Sequence, residues 1–142
     1  MVSIMPYMMT PGDESTAAER LYAVLSKPPK IEAPTAPSGE PAGVAGEWEA
    51  QLQFQRGSAR HTIFLEQKGA DLVGLHRGEI LSGDLHGSVG ANEIHFHSSH
   101  RYEGKRLTYD FSGKVDGDAM EGRVILDEYG EARWTAKRHK YA

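Results

Sequence analysis

Residues 44–54 read VAGEWEAQLQF, an alternation that places Trp48, Ala50, Leu52 and Phe54 on one side and Glu47, Glu49, Gln51 and Gln53 on the other. Successive side chains of a β-strand point to opposite faces, so this period of two specifies a strand with one buried and one wet face. The pattern recurs to the end of the chain. It predicts strands near 44–56, 59–68, 71–77, 80–90, 93–101, 105–115, 118–126 and 131–138, separated by turns at Arg56-Gly57, Gly69-Ala70, Gly78, Ala91-Asn92, Glu103-Gly104, Asp116-Gly117 and Tyr129-Gly130. Every connection is of hairpin length, which makes an antiparallel meander. Eight such strands close a barrel whose interior is filled by side chains or holds one small ligand. The expected fold is mainly β: an eight-stranded antiparallel up-and-down β-barrel preceded by a short N-terminal helix and a Pro-rich linker.

Composition separates these parts. All seven prolines lie at or before Pro41, whereas fourteen of the sixteen glycines and all seven histidines follow Ala42. This divides the chain into residues 1–42, helix and linker, and residues 43–142, the barrel, and places any reactive site in the second part. Without cysteine there is no disulfide framework, thiolate nucleophile or Cys-held zinc, so a metal would need His, Asp or Glu. The opening MVSIMPYMMT is apolar but short and carries no basic residue, unlike a signal peptide or a membrane span. A cytoplasmic protein with no membrane partner is expected. The net charge of -4, with no basic stripe, argues against nucleic acid as a partner.

In the leader, Ala18, Leu21, Tyr22 and Leu25 fall at helical spacing, Thr16 and Glu19 can form a capping box, and Pro28-Pro29 stops the run, predicting a helix over 13–25. Its apolar stripe calls for a partner: the barrel exterior, a second copy of the chain in a homodimer, or a further domain. Residues 30–42 form a proline-rich tether without periodicity. The segment MPYMMTPGDESTAAERLYAVLSKPP resembles the C-terminal tail of pyridoxal-phosphate (PLP) enzymes similar to selenocysteine synthase, a branch of the fold-type-I aminotransferases. The resemblance implies that Met1 is an internal methionine of a longer reading frame and that the barrel is an accessory or dimerisation domain of such an enzyme. No PLP is expected on this chain, since the likeness includes no catalytic motif and Lys27 and Lys30 read as solvated charges. Gly46-Glu47-Trp48 resembles the Gly-x-Trp opening of lipocalins and other calycins, and the outline is similar to avidin. That resemblance implies a calycin-like barrel that binds a small hydrophobic molecule.

The residues assigned inward are Trp48, Ala50, Leu52, Phe54, Ile63, Leu65, Leu72, Leu81, Leu85, Val89, Ile94, Phe96, Leu107, Tyr109, Phe111, Val115, Met120, Val124, Leu126 and Trp134. Gly74, Gly83, Gly87, Gly113 and Gly122 share their parity, and either relieve strand bending or leave a cavity.

Two histidine sets carry the chemistry. His61, His76 and His100 share the inward parity at one end of the barrel, with Gly83 opposite His100 leaving room between that ring and His76. Three neutral imidazoles there could hold zinc or a similar divalent ion whose bound water becomes nucleophilic. Glu128 would be the general base, Tyr109 and Tyr102 would polarise or orient a substrate oxygen, and Trp48 and Trp134 would line the pocket floor. The plain alternative is a polar rim between core and water. The second set, His86, His95 and His97, is outward. A His-x-His pair with a third His across the ladder resembles the zinc arrangement of carbonic anhydrases, but the outside of a small barrel offers no dry cavity. Asp84 and Asp110 would be outer acceptors there or plain surface charges. Ser98 and Ser99 stand beside histidines without a nucleophile-elbow motif. The function expected is a metal-dependent hydrolase of activated esters or phosphoesters. The alternatives are a non-enzymatic barrel for a small hydrophobic ligand and the accessory domain above.

Overall fold

The computed structural model describes residues 7–28, 30 and 39–141, the side chain of Glu128 excepted. Its strands are β1 (Gly46–Gln53), β2 (Ser58–Lys68), β3 (Asp71–Arg77), β4 (Ser82–Val89), β5 (Glu93–Tyr102), β6 (Lys105–Asp116), β7 (Ala119–Ile125) and β8 (Glu131–Arg138), with one 3-10 turn over Asp127–Tyr129. Each strand pairs antiparallel with the next, and β8 returns to β1 with Leu52 facing Trp134, so the sheet closes into a barrel. The period-two pattern produces this directly: Trp48, Ala50 and Leu52 are buried while Glu49, Gln51 and Gln53 are exposed.

Two predicted strands start two residues later than their pattern suggests. β1 begins at Gly46, whose φ of 123° lies outside the strand region. Val44 is nonetheless fully buried, its N–H donating to Gln67 Oε1 (2.8 Å) and its carbonyl accepting from Trp48 Nε1 (2.8 Å). β4 begins at Ser82 because residues 78–81 form a turn closed by the Gly78 N–H to the Leu81 carbonyl.

The core consists of the predicted inward side chains together with Val44, Ala132 and Ala136, except that Phe54, Tyr109 and Val115 are only partly buried against it and Leu81 and Leu107, half-buried at the histidine end, do not join it. Phe96 stacks on Phe111 with ring centroids 4.7 Å apart, and Trp134 meets both rings edge-on. The inward glycines leave no hollow. A Cβ at Gly74, Gly83, Gly87, Gly113 or Gly122 would collide with a backbone carbonyl of an adjacent strand, from Phe64, Ser99, His95, Glu121 or Ser112 respectively. They serve close backbone approach, which a strongly coiled small barrel demands.

One rim is closed by chain and charge. The Ala42 N–H donates to the Gly90 carbonyl, and Gln67 Nε2 donates to the Ala42 carbonyl. Arg138 lies over the Trp48 ring (4.4 Å), pairs with Asp118 (2.9 Å) and donates to the carbonyls of Ala45 and Gly43.

The chain divides into two compact units, Met1–Thr35 and Ala36–Ala142. In the first, α1 (Asp13–Ser26) has no buried residue, and Tyr22 and Leu25 of its apolar stripe are exposed. Asp13, rather than a Thr16–Glu19 box, secures the start, accepting from the Thr10 N–H (2.8 Å) and hydroxyl (2.9 Å). Most of the predicted tether, residues 31–38, falls outside the described residues. No helix among the described residues is long and apolar enough to cross a membrane.

Candidate functional site

The rim opposite Arg138 carries the polar core of the barrel. His61 comes from the start of β2, His76 from the end of β3, and Ser98 and His100 from the end of β5. His76 faces Gly83 across the β3–β4 ladder, and Gly83 lies against His100, where an added Cβ would be 3.2 Å from the ring. The glycine therefore lets His100 reach across β4 to His76. On the other side Gly78 lies against His61, where a Cβ would be 3.3 Å from Cε1.

These side chains form a connected set. His61 Nδ1 is 2.6 Å from His76 Nε2. His76 Nδ1 is 2.6 Å from Ser98 Oγ and 3.1 Å from His100 Nε2. Tyr109 closes the cluster from β6, its ring 5.0 Å from His76 and 5.2 Å from His100, and Phe111 packs beneath. His76 is 0 % exposed, His100 2 % and His61 7 %, so the set runs from an enclosed centre to one nearly covered edge.

Burial makes the imidazoles neutral. Desolvation, reinforced by His61 and His100, brings His76 down to about 2. Desolvation also lowers His61, with His100 adding to it and Glu79 opposing, and it lowers His100. Burial raises the Tyr109 phenol, which stays protonated. Each short N···N contact thus joins two neutral rings, one donating N–H and the other accepting. His100 Nδ1 is buried with no hydrogen-bond partner among the described residues.

The inward trio is thus brought together, but as a hydrogen-bonded chain. His76 offers Nε2 to His61 and Nδ1 to His100 and Ser98, whereas a shared metal takes one nitrogen from each ring. Among the described residues no three His, Asp or Glu side chains are grouped to hold a metal ion. Ser98, fully buried against His76, belongs to this cluster, and its inward parity with Phe96 and His100 was the signal for it.

The other expected residues divide. Tyr109 is in the cluster. Tyr102 sits in the exposed β5–β6 hairpin, paired in register with Lys105, and has no part in it. Glu128 belongs to the 3-10 turn at this rim, and its side chain lies outside the described residues. Trp48 and Trp134 are core plates rather than pocket walls: both are buried, and Trp134 Nε1 donates to the Ser112 and Arg123 carbonyls, 3.1 Å from each.

The outward set does not converge. His86 and His97 face each other across β4–β5 with centroids 6.1 Å apart, while His95 Nε2 turns to Asp110 Oδ1 at 2.7 Å. His86 and His97 instead line a groove of about 350 Å³ with Asp84, Ser99, Arg101 and Arg106. No family model matches the chain, and no curated protein matches it significantly.

Proposed function

We propose that the barrel is a calycin-like recognition module that works through its outer wall, accessory to a larger enzyme, and not a hydrophobic-ligand calyx. One observation carries this reading. Trp48, Leu52, Ile63, Leu85, Phe96 and Phe111 are all fully enclosed, and a void large enough for a single water would expose the side chains around it. The likeness of the leader to the tails of PLP enzymes supports the accessory role. Titration with Nile red tests the reading. Wild-type protein is expected to give no saturable binding, while Phe111→Ala, which opens a cavity among Phe96, Tyr109 and Trp134, gains it. One equivalent bound to wild type with quenching of tryptophan fluorescence would overturn the proposal.

A second reading keeps the expected hydrolase, with a divalent ion at the histidine end acting on activated esters or phosphoesters. It is favoured by three neutral imidazoles packed around Tyr109 and by the unpartnered Nδ1 of His100. It requires His76 to turn one nitrogen toward a point shared with its neighbours. Zinc titration by calorimetry decides it: stoichiometric binding that is lost in both His61→Ala and His100→Ala supports it, and heat unchanged by either substitution removes it.

A further inference from the structure

We infer that the groove across the outer faces of β4, β5 and β6 binds the phosphate of a small phosphate monoester. This rests on the outer wall being the working surface of the barrel and names what that surface takes. The hairpin between β5 and β6 has a two-residue loop, Glu103-Gly104, both with positive φ (47° and 81°). Such a tight loop fixes the register, and the register sets Arg101 directly opposite Arg106. Two like charges facing each other across a ladder repel. Among the described residues neither guanidinium has a carboxylate within 4.0 Å to relieve that repulsion.

The surroundings suit an oxyanion held between them. Arg101 and Arg106 line the groove together with Ser99, His86 and His97, so residues that carry guanidinium, hydroxyl and imidazole donors border one space. Among the described residues Asp84 is the single carboxylate that lines the groove, which makes that lining net positive on a chain of net charge -4. Two guanidinium forks match the several oxygens of a phosphate dianion, with charge enough to outweigh Asp84, whereas a lone carboxylate would engage only one fork. The bound dianion would also relieve the Arg101–Arg106 repulsion, so binding and stability are coupled.

The test uses the full chain and inorganic phosphate, followed by amide chemical shifts, with glycerol 3-phosphate as monoester and acetate as carboxylate control. Phosphate and the monoester are expected to give saturable shifts confined to residues around Asp84, His86, His97, Ser99, Arg101 and Arg106, at least tenfold tighter than acetate. Arg101→Gln and Arg106→Gln should each weaken phosphate binding about tenfold without lowering the melting temperature of the free protein. Asp84→Asn should tighten it severalfold, and Arg133→Gln, on another wall, should leave it unchanged. Shifts spread over all basic residues, equal acetate affinity, or full affinity in both arginine variants would overturn the proposal. A failure here with Nile red still excluded from the wild-type core would leave the outer-wall reading standing.

Discussion

The two rims of the barrel are closed by opposite means. At one, Trp48 is covered by Arg138, whose guanidinium also bonds Asp118 and the carbonyls of Ala45 and Gly43. Among the described residues no buried side-chain polar atom at this rim lacks a partner, and the charge stays at the surface. At the other, four polar side chains, His61, His76, Ser98 and His100, are buried together, and one ring nitrogen is left without a partner. Burying polar groups that are incompletely satisfied costs free energy that an apolar plug would not. The first rim is built for stability, and the second gives some of it up to keep imidazoles inside.

Trp48→Ala removes the plate under Arg138 and should lower unfolding free energy by about 4 kcal/mol in urea titration. A loss below about 1 kcal/mol would mean the Arg138 rim is not the anchor. Gly83→Ala forces a Cβ against the Ser99 carbonyl beside His100 and should cost about 2–3 kcal/mol. Gly43→Ala at the other rim meets nothing within 4 Å and should be near neutral.

Acid should act mainly at the histidine rim. The folded-state pKa of His76 lies far below its unfolded value of about 6.5, so its contribution is complete above that pH and is lost as pH falls below it, because only the unfolded chain takes up the proton. His76 alone should cost about 1 kcal/mol between pH 6 and pH 5, with His61 and His100 acting in the same direction. Urea midpoints across that range check it, and His76→Leu should flatten the slope. A slope unchanged in that variant would place the acid sensitivity elsewhere. Ser98→Ala removes the hydroxyl beside His76 Nδ1 and should likewise cost about 1 kcal/mol in the same assay.

Most of the fold was legible because period-two alternation determines both strand existence and facing. β3 and β8 match the predicted bounds, and the parity that enclosed Phe96 and Phe111 also brought His61, His76 and His100 to one end. Three things were not legible, each for a physical reason. Parity says that two rings meet but not which nitrogen each presents, and that choice makes the trio a chain. The inward glycines look alike whether they leave space or admit a neighbouring carbonyl, and here they admit carbonyls. Tyr102 keeps the inward parity of β5 but lies past the last enclosed residue, His100, where alternation no longer implies burial.

The bond from Arg138 to the Gly43 carbonyl ties the incoming and outgoing strands at one rim. A short bridge there would make the barrel circularly permutable, with new ends placed at the exposed Arg56-Gly57 bend, and the same adjacency suits it to insertion as a cassette into a surface loop of a host protein.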